Sequence, residues 1–248
     1  STKEPFHPES GRRYFQPHQD IELNDRFELG ARDAEAAVGP KQGGRHAEAD
    51  PRWETEPYLE ELPRVTAELR KAVGPHIGLI HDVHSRCTPV QAARAAKELE
   101  PYHLLFLEDP VEPLNRAALE LVRAASTTPL ATGELFNTMD QLLPLLERRL
   151  IDYIRLDISH FGGITPLRKA AYIADAYGIQ TAFHGPGDIS PLAHAAQFHL
   201  DLHVPNFGIQ ETLRFDPRLK EVFDWQIISE EGYLSFGDRP GLGVGVDE

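Results

Sequence analysis

Cysteine is nearly absent, and the one thiol, Cys87, among 248 residues excludes internal disulfides and suits a reducing compartment. It lies between an expected strand and an expected helix, and nothing in the sequence argues for a lowered pKa, so an inert structural thiol is expected. Long apolar runs are also missing. No stretch approaches the length of a membrane span, and the opening Ser1-Thr2-Lys3-Glu4-Pro5 lacks the apolar core of a signal peptide, which makes the cytoplasm the expected compartment. Positive charge is scarce: 25 Lys and Arg stand against 39 Asp and Glu, a formal net charge of −14. Binding to nucleic acid or to an anionic membrane surface is therefore not expected, since both depend on Lys and Arg neutralising phosphate. An anionic small molecule would need local positive charge from a metal or from a few placed Arg and His.

Residues 1–52 lack any apolar period that persists, and Gly39-Pro40-Lys41-Gln42-Gly43-Gly44-Arg45 reads as loop. A structureless stretch of that length is unusual in a compact domain, so this leader is expected to be a functional loop, a disordered segment or a foreign or frame-altered terminus.

From Trp53 onward a regular pattern appears. Leu59, Leu62, Val65, Leu69 and Val73 lie on one face of a helix that stops at Gly74-Pro75. Short apolar runs then recur about every 26 residues and end in Asp82, Glu108, Glu134, Asp157, His184 and Glu211. The spacing predicts strands at 77–82, 103–108, 129–134, 151–157, 179–184 and 205–211. Helices are predicted after Pro89 and at 114–125, 138–149, 165–177 and 189–200. A run too short for a helix, followed by a helix and loops, is a strand–helix unit, and its repetition predicts parallel strands with right-handed crossovers. The expected fold class is α/β, a (β/α) barrel occupying 53–215, followed by a hairpin and coil at 216–248. With 41% hydrophobic residues, one sizeable core is within reach. Six strands are two short of a closed barrel, and the first two, with anything before them, are expected to belong to a longer protein of which this is the C-terminal portion.

Parallel strands aim their last residues at one rim, the place where such barrels keep their active sites. Asp82, Glu108 and Glu134 on consecutive strand ends would repel one another without a cation between them, and an oxygen-rich site of this kind suits Mg²⁺. Each acid taken singly is more simply a helix cap or the partner of an Arg; the even spacing of three argues for metal. His84, two residues beyond Asp82, shares its face if the strand extends that far. Arg155 is read equally as a salt-bridge partner of Asp152 or Glu134 and as a substrate ligand. His184 and Asp157 form a dyad across neighbouring strand ends, or Asp157 caps a helix. Asp188 reads as an N-cap before Ile189-Ser190-Pro191, and His81, His160 and His194 as structural or surface residues.

The segments His81-Asp82-Val83-His84, Phe106-Leu107-Glu108-Asp109-Pro110, Thr132-Gly133-Glu134-Leu135-Phe136-Asn137, Asp152-Tyr153-Ile154-Arg155, Gly162-Gly163-Ile164-Thr165, His184-Gly185-Pro186-Gly187-Asp188-Ile189-Ser190-Pro191 and Asn206-Phe207-Gly208-Ile209-Gln210-Glu211 resemble the enolase superfamily. More narrowly they resemble its mannonate dehydratase subgroup, including starvation-sensing-protein-like members, from about Trp53 to the C-terminus. The resemblance implies a barrel normally preceded by an α+β capping domain, with Asp82, Glu108 and Glu134 as Mg²⁺ ligands. It implies that His84 acts in acid–base chemistry, as the acid for the leaving hydroxyl, and that Arg155, His184, Asp188 and Glu211 contact the substrate. Alternatively His184 pairs with Asp157 as a catalytic dyad of the type used as a base elsewhere in the superfamily, with Asp157 as a mere helix cap an equal reading. The implied reaction is dehydration of a sugar acid, D-mannonate or D-gluconate, to 2-keto-3-deoxy-D-gluconate by an enzyme expected to be a homo-oligomer. A catalytically silent metal-binding fragment or regulatory protein is one alternative, and a racemase or other acid-sugar lyase another. The Tyr and Arg that serve such dehydratases as the proton-abstracting pair have no counterpart in place: Tyr14, beside Arg12 and Arg13, has the right type in different surroundings.

Overall fold

The computed structural model describes residues 54–187, 189–212, 217–225, 228–230, 233–235 and 239–247, so the leader expected at 1–52 and Asp188 lie outside the described residues. Helix α1, Thr55–Val73, begins one turn before the first residue of the predicted stripe and buries Tyr58, Leu59, Leu62 and Thr66. Strand β1 (Ile80–Asp82) follows, and α2 (Pro89–Leu99) starts in a capping box: the Thr88 side chain and the Gln91 side chain each accept from the other's backbone N–H. Its buried face is Ala92, Ala93, Ala95, Ala96 and Leu99, whereas Val90 is exposed. In the sequence Val90, Ala93, Ala96 and Leu99 recur every third residue, a spacing that captures only part of this face, because a helix turns in 3.6 residues.

The alternation continues through β2 (Phe106–Glu108), α3 (Arg116–Ala125), β3 (Leu130–Thr132), α4 (Met139–Glu147), β4 (Tyr153–Ile154), α5 (Ile164–Ala176), β5 (Gln180–Thr181) and α6 (Pro191–Asp201). In α3 the buried residues are Ala118, Leu119 and Val122, whereas Leu121, and Leu114 just ahead of the helix, are exposed although the apolar spacing of the sequence places both on the expected buried stripe. Strands β1 to β5 form one sheet in chain order, every pairing parallel. The sixth apolar run joins by a single parallel bridge, Thr181 to Phe207, in place of the expected strand 205–211. Gly208 explains the close approach: a Cβ there would come within 2.7 Å of Thr181 O. Beyond it β6 (Phe223–Trp225) pairs antiparallel with β9 (Val244–Val246), and β7 (Ile228–Glu230) with β8 (Tyr233–Ser235) as a hairpin. No helix among the described residues is long and apolar enough to cross a membrane.

Side chains alternate across each strand. Leu107, Leu130, Ile154 and Phe183 pack in the large cluster with the helices, while Phe106, Ala131, Tyr153 and Ala182 make a smaller cluster on the opposite, inner face. Large and small residues alternate from strand to strand along that inner layer. Two residues further along, the inner face carries Glu108, Arg155 and His184, so the same alternation that fills the barrel floor delivers the rim residues above it.

Candidate active site at the carboxyl ends of the strands

Asp82 and Glu108 are opposite numbers in the β1–β2 register, so their carboxylates stand on adjacent strand ends. Glu134 follows β3 through Gly133, whose φ of 133° no side chain adopts readily, and is carried on a turn closed by Phe136 N–H donating to Gly133 O. Arg155 ties the rim together from beneath. Its Nε donates to Glu108 Oε1 at 2.6 Å and one terminal nitrogen to Glu211 Oε2 at 2.6 Å. The other terminal nitrogen donates to Ala182 O at 2.7 Å and to Phe183 O at 3.2 Å. With only 4% of its surface exposed, Arg155 is a buried cation shared by two carboxylates, and its partners are neither Asp152 nor Glu134. Asp152 is taken instead by Arg123.

The two histidines flank Glu134. His184 Nε2 lies 3.3 Å from Glu134 Oε2, and His84 Nε2 lies 3.6 Å from Glu134 Oε1. His184 Nδ1 meets Asp157 Oδ2 at 3.0 Å, while Asp157 Oδ1 accepts from Ser159 N–H at 2.6 Å. Asp157 therefore pairs with the histidine and closes a local turn, but it caps no helix: the next helix, Ile164–Ala176, has Gly163 at its N-cap and no side-chain cap. Glu211 also accepts from Gly185 N–H at 2.8 Å. His84 is reached by a different route from the expected one. The strand ends at Asp82, and His84 adopts a left-handed φ of 52° with its N–H donating to Asp82 Oδ1 at 2.7 Å. A turn, and not strand alternation, brings its half-exposed ring over the rim.

Electrostatics at the rim follow from burial and neighbours. Burial pushes Glu108 up to about 7, with Arg155 opposing and Asp82 and Glu211 adding to the rise. Burial also raises Asp82, and the charge of Glu134 contributes. For His184 burial favours the neutral ring, but the hydrogen bond to Asp157 and the charges of Glu134 and Glu211 outweigh it and raise the pKa. For Asp157 burial is likewise outweighed, by its bonds from His184 and Ser159, and its carboxyl is lowered. The Arg155 charge lowers Glu211 against burial in the same way.

Among the described residues no three His, Cys, Asp or Glu side chains close into a ready cation cage. Glu108 is held by Arg155, Glu134 lies between two histidines, and Asp82 accepts from its own neighbour. The donor chemistry nonetheless fits a hard divalent ion: three carboxylates from neighbouring strand ends, with Asp82 electrostatically coupled to both of the others.

Two rim-supporting residues went unread in the sequence. Asp109, directly after Glu108, is buried, accepts a hydrogen bond from Thr132 Oγ1, and is pushed up to about 8 by burial against that bond. A second acid in Glu108-Asp109 was its only sequence signal. Gln197, fully buried on α6, bonds the backbone beside Asp157 and His184, and nothing local announces it. Of the histidines expected to be structural, His81 bonds Tyr58 Oη at 2.6 Å, His160 Nδ1 lies 2.9 Å from Glu134 O, and His194 Nε2 lies 2.9 Å from Pro186 O. Cys87 is buried, and burial pushes its thiol up to about 11, so it is protonated at neutral pH.

Residues 33–248 match the family model described as Enolase C-terminal domain-like. The chain belongs to this family. Within the enolase superfamily it is 47% identical over 196 residues to a D-galactonate dehydratase family member of Pseudarthrobacter chlorophenolicus, a match covering 79% of this chain and 48% of the relative. It is 45% identical over 196 residues to a D-mannonate dehydratase of Caulobacter sp. (strain K31), covering 79% and 49%. A crystal structure of an enolase from Pantoea ananatis with bound D-gluconate and Mg superposes with a TM-score of 0.77 at 44% identity, covering 85% of this chain and 51% of that one. The chain thus spans about half the length of the relatives it matches.

Proposed function

We propose that this chain carries the metal rim and acid–base groups of a Mg²⁺-dependent hydro-lyase that dehydrates a six-carbon sugar acid, D-mannonate or D-gluconate, to 2-keto-3-deoxy-D-gluconate. The observation that carries this reading is one acidic residue, Glu134, flanked by two imidazole Nε2 atoms beside Asp82 and Glu108, on the scaffold shared with the gluconate- and Mg-containing relative.

Asp82, Glu108 and Glu134 would hold the cation, with Arg155 fixing Glu108 and Glu211 so that neither swings away. Mg²⁺, when bound, supplies Lewis-acid stabilisation of the negative charge that develops on the substrate carboxylate. The proton is lost from C2 and the hydroxyl from C3; the hydroxyl leaves with an added proton as water, and the resulting enol tautomerises to the 2-keto acid. His184, held by Asp157, takes or holds a proton at Nε2 on one side of Glu134. His84, half exposed on the other side, delivers the proton to the leaving hydroxyl. Positioned groups of this kind each contribute on the order of 10² to 10⁴-fold. Glu211, a third exposed, together with Arg155, His184 and Asp188, forms the set proposed to meet the sugar's carboxylate and hydroxyls.

The alternative reading is metal binding without turnover. Incubation with Mg²⁺ and a panel of sugar acids, followed by assay for 2-keto-3-deoxy acids, separates the two. Turnover supports the lyase. Metal binding alone, weakened in Asp82→Asn, supports the silent reading. An Asp82→Asn variant with unchanged Mg²⁺ affinity sinks the proposed metal rim, and deuterium entering C2 from solvent without dehydration points to a racemase.

A further inference from the structure

The parallel ladder between β4 and β5 runs past the ends of the strands themselves. Gln180 N–H donates to Asp152 O at 3.0 Å, Ala182 N–H to Ile154 O at 3.0 Å, and His184 N–H to Leu156 O at 3.1 Å. In a parallel pair every second residue of one strand bonds the two neighbours of its opposite number, and here these residues are Asp152, Ile154 and Leu156. Ile154 stands opposite Thr181, so Asp157 stands opposite His184, and the next rung in this register would run from Ile158 N–H to His184 O. That rung is occupied by a side chain. Ile158 N–H donates to Gln197 Oε1 at 2.9 Å, and Gln197 Nε2 donates to His184 O at 2.9 Å.

Gln197 comes from α6, on the outer side of the sheet, and has no exposed surface. Its carboxamide offers one acceptor and one donor at a fixed separation, as a peptide group does, and so replaces one ladder bond by two in series. The register puts Asp157 opposite His184 but does not set how far the strand ends spread beyond their last direct rung. We infer that Gln197 is a positioning residue whose amide, inserted between Ile158 N–H and His184 O, sets the spread at which His184 and Asp157 pair.

The other side of the same segment is fixed independently. Gln210 Nε2 donates to Phe183 O at 3.1 Å, and Gly185 N–H donates to Glu211. The His184 backbone is therefore held between α6 and the 210–211 segment. If the amide is lost, two buried backbone groups are left unsatisfied, or the strand ends close on each other to recover their direct bond. Either response moves the ring relative to the carboxylate.

The inference rests on reading His184–Asp157 as the acid–base pair, and its test is independent of turnover. In the full chain, an imidazole Nδ1 proton bonded to a carboxylate gives a downfield proton resonance, assigned here by its loss in Asp157→Asn and His184→Gln. Gln197→Met keeps the volume and removes both bonds; Gln197→Asn keeps the amide on a shorter arm. Both are expected to shift the resonance upfield or broaden it away. Gln197→Glu, kept as the neutral acid by its burial, retains one donor and one acceptor and is expected to restore it. Leu142→Ala, a core variant in α4, is the control for general loosening and is expected to leave it in place. A wild-type spectrum without the resonance overturns the inference, as does a folded Gln197→Met or Gln197→Asn that keeps it unshifted. Wild-type resonance and Gln197 dependence without Mg²⁺ binding or turnover would fail the functional reading and leave the positioning role standing. Turnover with an unshifted resonance in Gln197→Met would do the reverse.

Discussion

His184 Nδ1 and Asp157 Oδ2 lie 3.0 Å apart, and the carboxylate of the pair is completely buried while the ring shares its other nitrogen with Glu134. Folding lowers the Asp157 pKa and raises that of His184. The Asp157 contribution to stability is present above the ordinary carboxylate value of about 3.9 and is lost as pH falls through its lower native value. The His184 contribution is present below the ordinary value of about 6.5 and is lost as pH rises through its higher native value. Asp157→Asn is therefore expected to cost about 1.5–3 kcal/mol, as hydrogen bonds to charged groups do, between about pH 4 and 6.5, and less above that window. Urea denaturation of both proteins across pH in the presence of chelator measures the difference; a gap that grows above pH 7 would contradict the assignment.

Asp109 titrates with the opposite consequence for the acid it resembles. Its pKa is raised by burial to about 8, so between the ordinary value and that point the unfolded chain is ionised while the folded chain holds the proton. Stability should fall with rising pH across this range, by up to about 1.4 kcal/mol per unit for one proton. Asp109→Asn keeps an acceptor for Thr132 and removes the titration. Its stability relative to the parent is expected to increase steadily from pH 5 to pH 8, with the slope that Glu108 contributes, raised to about 7, remaining in both proteins.

Arg155 compensates Glu108 and Glu211 from a buried position. Arg155→Met leaves Glu108 buried without its cation, and the expected loss is about 3–5 kcal/mol at pH 8. Below pH 6 the loss should shrink, because Glu108 accepts a proton more readily once the guanidinium is gone. Chemical denaturation at the two pH values tests this, and an equal loss at both would assign the effect to lost packing alone.

Gly185 is held where a Cβ would come within 2.1 Å of Glu211 O and 2.8 Å of Gln210 Nε2. Gly185→Ala forces the His184 segment away from the 210–211 segment, and a loss of about 1–3 kcal/mol is expected, the range of overpacked sites. Thermal unfolding reads the loss, and Gly245→Ala, whose nearest contact is 3.9 Å, is the matched control expected to be nearly silent.

The strand–helix order was legible because apolar runs of period two and stripes of period 3.6 are local properties. Acids at run ends were legible for the same reason, and Asp82 and Glu108 do stand opposite each other. What escaped was set by distant chain. Arg155 finds carboxylates 47 and 56 residues away, while the nearby Asp152 goes to Arg123 of α3. Gln197 is indistinguishable in sequence from a surface residue, since only the packing of α6 on the sheet brings it to Ile158 and His184. Likewise the turn that lifts His84 depends on Ser85 N–H reaching Asp109 O, a bond between two strand ends.

The buried Cys87, close to Tyr58 of α1 and Arg94 of α2, gives the chain a clock. A thiol reagent reaches it only when the corner between these helices opens, and with one cysteine there is no second signal to subtract. The rate of its modification in native buffer therefore reports local opening of the turn that follows Asp82 and His84.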